Sequence, residues 1–281
     1  MSDTTRILEH IGRIREELDR LEKLVRGDAL PDTNMIEPVT DDEIIFAGEG
    51  DLEIIGGIPT SKFLDCCAIG NKMGYYCTGT LIAPTLVITA KHCKDISRVF
   101  FGTDINQPQN GETIDIVRDI PHPDPGVDIR VLVLQRAPRA TPRHVAQGAE
   151  VGSPRTAVVA GFGTTDLAGT AGYGTKRYAR VPIMSLDSTS PIDRQKYGSR
   201  SDIELVAGHL GLNRDSCKGD SGGPLYISDP NGNGDFVLGA TSRGTDNAEH
   251  VCGDGGIYVR VDKFLDWIRT STGVNVDGPL P

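Results

Sequence analysis

The chain has 281 residues, 38% of them hydrophobic and 24% charged, which is the composition of a globular protein with one large or two small cores. Its 34 glycines and 17 prolines, together with few helical stretches after residue 30, favour a turn-rich β body. A net charge of −10 without a basic track argues against nucleic-acid binding, and no apolar run is long enough to span a membrane.

The N-terminal segment, residues 1–27, has the pattern of an amphipathic helix. Apolar side chains recur there at alternating spacings of four and three residues: Ile7, Ile11, Ile14, Leu18, Leu21 and Val25. This seam predicts either a coiled coil, in which residues 7–25 self-associate or dock a partner helix, or one helix lying on its parent domain. The first residues are charged and show no signal peptide, which indicates a cytoplasmic protein if this N-terminus is native.

Residues 28–53 carry most of the negative charge. This segment contains nine acidic residues and no Lys or Arg, so residues 54–281 are nearly neutral. Its charge and low hydrophobicity predict an exposed acidic linker.

The remaining segment, residues 54–281, reads as an all-β domain. Apolar runs of strand length alternate with Gly, Asn, Asp and Pro, at residues 86–90, 129–134, 157–160, 236–241 and 256–261. Apolar residues at helical spacing over 261–268 predict a closing helix.

Three polar stretches of this domain supply the groups that peptide hydrolysis needs. His92 follows the strand predicted at 86–90, and Asp128 stands at the mouth of the strand predicted at 129–134. Ser221 lies in the glycine-rich sequence GDSGGP at 219–224, where backbone N–H groups can converge. A nucleophile, a base, an orienting carboxylate and oxyanion donors are the components of acyl transfer.

These stretches resemble the His, Asp and Ser motifs of the trypsin/chymotrypsin-like serine protease family, in the family's chain order, and the likeness runs from residue 54 to about 270. The resemblance implies two packed antiparallel six-stranded β-barrels of the chymotrypsin type with a C-terminal helix. It makes Ser221 the nucleophile, His92 the base and Asp128 its orienter, and it forms the oxyanion hole from the N–H groups of Gly219 and Ser221. It implies no metal and no organic cofactor.

The resemblance also predicts a trypsin-like specificity pocket. Asp215 corresponds to the pocket floor, Gly244 and Gly256 correspond to its walls, and Ser242 belongs to the edge segment that pairs with the substrate backbone. A buried carboxylate favours a cation, so we expect protein or peptide substrates with Arg or Lys before the cleaved bond.

Arg243 departs from the family, which usually has an aromatic residue there. Lys218, beside the expected oxyanion hole, is a second cation at the cleft rim. Either the two cations favour acidic residues near the cleaved bond or they are solvated surface charges.

Residues 53–57, EIIGG, resemble the family's activation site. Cleavage between Glu53 and Ile54 is expected to free an ammonium group that pairs with Asp220. Because an aspartate in the pocket repels Glu53, the activating protease should have a different specificity. No cysteine precedes Cys66, so the cleaved segment would not stay covalently attached.

The six cysteines fit the family in part. The resemblance suggests the disulfides Cys77–Cys93 and Cys217–Cys252. Cys66 and Cys67 have no family partner, and because a bridge between adjacent residues is strained, two thiols are expected. Several disulfides of secreted relatives are absent, so the compartment stays open although the protease domain resembles secreted enzymes.

The alternative to an enzyme is a binding module. In that interpretation the protease fold is catalytically silent and serves for docking. The intact triad argues against it, whereas Arg243 and Glu53 are the features that favour it.

Overall fold

The computed structural model describes residues 57–228 and 235–276. The predicted helix over 1–27, the acidic linker over 28–53 and the bond between Glu53 and Ile54 lie outside these residues. They therefore stay predictions.

The first half of the described chain forms a closed antiparallel barrel. Its six strands are β2 (Cys66–Asn71), β3 (Gly74–Ala83), β4 (Leu86–Thr89), β5 (Arg98–Phe101), β6 (Glu112–Pro121) and β7 (Arg130–Leu134). The barrel closes in the order β2-β3-β4-β7-β6-β5, and β2 pairs with β5. The apolar runs predicted at 86–90 and 129–134 become β4 and β7, which pair directly.

The second half forms another antiparallel barrel. Its strands are β8 (Thr156–Gly161), β9 (Arg177–Ser185), β10 (Glu204–Ala207), β11 (Pro224–Ser228), β12 (Asp235–Gly244) and β13 (Gly256–Arg260), and the short β1 (Ile58–Pro59) adds to β9. The strand order is β9-β10-β13-β12-β11-β8, and the pairing of β8 with β9 closes it. The predicted pair of six-stranded barrels is confirmed.

Helices are few and short in the described residues. The closing helix predicted near the end is α2 (Leu265–Thr272), whereas α1 (Pro191–Tyr197) was not predicted. Single 3₁₀ turns occupy Pro108–Asn110, Gly148–Glu150 and Val261–Phe264. None of the helices in the described part is long and apolar enough to cross a bilayer.

The two barrels share a continuous apolar core. One cluster joins Ile88, Phe100 and Val131 of the first barrel to Tyr226 and Val259 of the second. Because side chains alternate along a strand, Cys66 enters this shared core while Cys67 enters the interior of the first barrel. Both remain buried free thiols, as expected.

The disulfides suggested by the family resemblance are present. Cys77 on β3 is bonded to Cys93 beside His92, and Cys217 is bonded to Cys252. Each bridge therefore fixes a loop that carries a candidate site residue.

Candidate active site

His92 and Asp128 meet at the end of the first barrel, on the loops that follow β4 and precede β7. His92 Nδ1 lies 2.8 Å from Asp128 Oδ2, and the His92 backbone N–H donates to Asp128 Oδ1 at 2.9 Å. With Nδ1 bonded to the carboxylate, Nε2 on the opposite side of the ring makes no hydrogen bond to the described residues. The geometry therefore suits a general base.

Asp128 receives a third hydrogen bond, from the second barrel. Ser242 Oγ on β12 donates to Asp128 Oδ2 at 2.6 Å. Burial alone would raise the pKa of Asp128, but the hydrogen bonds from His92 and Ser242 outweigh it, and its pKa lies below the ordinary value. Asp128 is thus a fixed carboxylate at neutral pH.

Ser221 stands in the turn before β11, and its main chain is tied to the first barrel. Thr78 N on β3 donates to the Ser221 carbonyl at 2.9 Å. An added Cβ at the neighbouring Gly222 would lie 2.4 Å from Ala90 N, so this turn packs directly on the loop of His92. Within the described residues, Ser221 Oγ makes no hydrogen bond to the ring of His92; such contacts often tighten only when substrate binds.

The peptide between Lys218 and Gly219, which carries the N–H of the expected oxyanion donor, is held by a backbone hydrogen bond. Thr164 N donates to the Lys218 carbonyl at 2.8 Å. Because the C=O and N–H of a trans peptide point in opposite directions, the Gly219 N–H faces away from Thr164. Gly219 has φ +99°, which a residue with a side chain adopts only with strain, so the turn requires glycine here.

Thr78 is a site residue that sequence reasoning missed. Its Oγ1 is fully buried and donates to the Gly219 carbonyl at 2.8 Å. It therefore fixes the carbonyl of Gly219, the residue whose N–H is an expected oxyanion donor. No local sequence signal marks it, since the two residues lie 141 positions apart.

Asp220 is directed into the protein, away from the cleft. Its carboxylate accepts from Gly163 N at 2.8 Å and Cys217 N at 2.9 Å. Burial raises its pKa to about 6 in spite of these bonds. A carboxylate offers about four acceptor positions, so two of them have no donor among the described residues.

Asp215 lies at the base of a pocket of about 160 Å³ that Ser221 also lines. Only 2% exposed, it accepts from Tyr258 Oη and from Ser216 N, both at 2.7 Å. Burial raises its pKa to about 7, against the lowering effect of these donors, and the nearby Asp220 raises it further. The carboxyl group is thus costly to ionise until a cation arrives.

Of the two predicted wall glycines, Gly244 lines this pocket, whereas Gly256 is not among its lining residues and its neighbour Gly255 is. An added Cβ at Gly256 would lie 3.2 Å from Asp215 Oδ2, tighter than ordinary contact. At Gly244 an added Cβ would have no atom within 4 Å, so the space beside this residue is open.

Arg243 is an ion-paired side chain that remains 39% exposed. Its two terminal nitrogens donate to both oxygens of the buried Glu204 at 2.8 Å each, and Nη2 also donates to the Gly198 carbonyl at 3.0 Å. Lys218 is exposed as well.

Ser221 and Asp215 thus line one pocket, and Ser242, which lines it too, donates to the aspartate that contacts His92. A sequence model of the trypsin family matches residues 55–268. The chain belongs to the trypsin family of serine proteases.

Two curated relatives of this trypsin-family chain are "Serine protease 56" of Mus musculus and of Homo sapiens. They are 33% and 32% identical to it over 211 residues, which is 69% of this chain and 34% of each relative. The chain thus spans about a third of the length of these relatives.

Proposed function

We propose that the chain is a serine endopeptidase that hydrolyses peptide bonds after Arg or Lys. The observation that carries the proposal is the buried carboxylate of Asp215 in a pocket that also opens to Ser221. A guanidinium or ammonium group in this pocket would pair with a carboxylate that otherwise has only neutral donors.

The chemistry follows from the contacts of the triad. His92 Nε2 takes the proton of Ser221 as Oγ attacks the substrate carbonyl, and Asp128 stabilises the imidazolium that forms. The N–H groups of Gly219 and Ser221 receive the developing oxyanion. His92 then protonates the leaving amine, and water releases the acyl group from Ser221 by the same steps in reverse.

We further propose that the chain is a zymogen, activated by cleavage between Glu53 and Ile54. The new Ile54 ammonium would occupy acceptor positions of Asp220 and lower the cost of its burial. Since Asp220 lies between Gly219 and Ser221 in sequence, that ion pair would hold the oxyanion turn. Glu53 suits an activator of a different specificity.

The test compares the full-length chain with a version that begins at Ile54, on short substrates ending in Arg, Lys, Phe or Glu. The expected result is cleavage after Arg and Lys by the Ile54 form alone. Equal activity of both forms on these substrates would support the proposed peptidase activity but contradict activation by cleavage between Glu53 and Ile54.

The Ser221→Ala variant of the Ile54 form is the matched control, and it should be inactive and unlabelled by a serine-directed covalent probe. If the Ile54 form itself neither turns over substrate nor reacts with the probe, the proposal fails. A silent binding module would then be the better account.

A further inference from the structure

A continuous set of polar contacts leads from the second barrel to the histidine of the triad. We call it the Glu204 network; it consists of Glu204, Arg243, Ser242, Asp128 and His92. Arg243 Nη1 donates to Glu204 Oε1 at 2.8 Å and lies 3.4 Å from Ser242 Oγ. Ser242 Oγ in turn donates to Asp128 Oδ2, the atom that contacts His92 Nδ1.

The outer end of the Glu204 network is rigid. Glu204 on β10 is 2% exposed and also accepts from Arg200 N at 2.7 Å. Both β10 and β12 pair with β13, opposite Val259 for Glu204 and opposite Ile257 for Arg243. The guanidinium is therefore held at a fixed place beside Ser242, with its fork closed on a carboxylate.

We propose that Arg243 and Glu204 are positioning residues for the triad. The guanidinium holds Ser242 against Asp128, and its positive charge opposes protonation of His92. The Glu204 carboxylate, which lies farther from Asp128 along the network, offsets part of that charge. The pair thereby sets the basicity of His92.

Other charged groups near His92 and Asp128 have partners of their own. Lys91 Nζ donates to the carbonyls of His122 and Asp124, and Arg130 pairs with Asp119. The Arg200 guanidinium donates to the Gly126 carbonyl. Asp246, with Glu204 and Asp128, adds to the negative field that raises the pKa of Arg243. Lys91 and Arg130 bond neither Arg243 nor Glu204, and the side-chain oxygen of Glu204→Gln can still accept from Arg200 N.

The test is a pH titration of His92 in the ¹⁵N-labelled full chain by NMR. The chain has six histidines, and the signal of His92 is assigned by its loss in His92→Gln. Glu204→Gln removes the counter-charge of Arg243 and should lower the pKa of His92 by about half a pH unit. Arg243→Met should raise the pKa of His92 by a smaller amount, because the buried Glu204 carboxyl is costly to ionise without its cation. Arg243→Lys keeps the charge and should restore the wild-type value.

Shifts of opposite sign in the pKa of His92 distinguish this role from a merely structural one. A structural disturbance would shift that pKa in the same direction in both variants. Arg136→Met is the matched control, because Arg136 pairs with Glu112 at the end of β7 remote from Asp128 and its loss should leave His92 unchanged. Shifts of the same sign, or none in folded variants, would overturn the proposal.

If Arg243→Met does not fold, the double variant Arg243→Met/Glu204→Met replaces it, since it removes the buried Glu204 carboxylate together with its cation and leaves no buried charge unpaired. The pKa of His92 in Glu204→Gln should then lie below that in the double variant, and the reverse order would overturn the proposal.

The inference rests on the proposed role of His92 as the base, yet its titration does not require turnover. In active enzyme the acid limb of kcat/KM should move with the NMR values. If no form turns over substrate while the opposite shifts occur, the proposed function fails and the positioning pair stands.

Discussion

The surroundings of Asp128 and Asp215 shift the pKa values of these two carboxyl groups in opposite directions. Asp128, at the end of the first barrel, retains 22% side-chain exposure and bonds a histidine, so its pKa lies below the ordinary value. Asp215, in the second barrel, is 2% exposed and has only neutral donors, so burial raises its pKa to about 7.

Under the proposed function, this difference assigns Asp128 to catalysis and Asp215 to substrate selection. Asp128 would be ionised before any substrate arrives and would orient His92 continuously. Asp215 would ionise at a cost that a substrate cation in the pocket offsets and a neutral side chain does not.

The largest expected effect comes from the Asp128 side. Asp128→Asn should lower kcat by about four orders of magnitude on every substrate, because the amide no longer holds His92 in the tautomer that accepts the serine proton. Steady-state kinetics of the Ile54 form on Arg and Phe substrates measures this. A loss confined to Arg substrates would contradict the role of Asp128.

The Asp215 side should show a smaller and selective effect. Asp215→Asn should lower kcat/KM for Arg and Lys substrates by roughly 10²- to 10³-fold, since a substrate cation is left without its buried partner. Activity on Phe substrates should not fall. Equal losses on Arg and Phe substrates would show that Asp215 supports the fold rather than the selectivity.

The pH dependence of stability distinguishes the two aspartates without any substrate. For Asp215 the folded pKa of about 7 lies above the unfolded value. Between these two pKa values the folded protein keeps a proton that the unfolded chain has lost, so the free energy of unfolding falls as the pH rises towards 7. Between pH 5 and pH 8 the free energy of unfolding should fall by about 2 to 3 kcal/mol more in wild type than in Asp215→Asn.

Asp128→Asn, made in a His92→Gln background, is the matched control for that measurement. Because the folded pKa of Asp128 is lowered, its own contribution is lost only below the ordinary carboxyl range, and with the contacting histidine removed the double variant should keep the slope of His92→Gln between pH 5 and pH 8. Asp220, with a pKa of about 6, gives Asp215→Asn a remaining slope of the same sign. Urea unfolding at both pH values is the measurement; parallel slopes in wild type and Asp215→Asn would refute the assignment.

Local sequence patterns and the family resemblance were enough to predict much of the fold. Strands β4 and β7 were predicted correctly from their apolar runs, and the two disulfides and the two-barrel fold were predicted correctly from the family resemblance. Helix α1 was missed, since seven residues are too few for a periodic pattern, although Ser190 caps its start and Gly198 ends it.

Contacts between distant segments were beyond that reasoning. Glu204 and Arg243 are 39 positions apart, and each alone reads as an ordinary surface charge. Only the pairing of β10 and β12 with β13 brings them together, so that the arginine that departs from the family pattern forms an ion pair with a buried carboxylate. The same holds for the hydroxyl of Thr78 beneath Gly219.

The smallest predicted effect concerns that hydroxyl. Thr78→Val removes the hydrogen bond to the Gly219 carbonyl, a contact worth about 1 kcal/mol, so kcat should fall roughly 5-fold with little change in KM. The KM is spared because Gly219 is expected to act on the oxyanion rather than on the bound ground state. Steady-state kinetics of the Ile54 form measures both constants.

Thr80→Val is the matched control, two residues along the same strand. Thr80 Oγ1 is buried and has no hydrogen-bond partner among the described residues, so its replacement should leave kcat unchanged and the protein equally or more stable. If the two variants are equally active, Thr78 does not position the oxyanion donor. If Thr78→Val raises KM and spares kcat, Gly219 acts in binding instead, and the electrostatic work of the cleft rests on the Ser221 N–H.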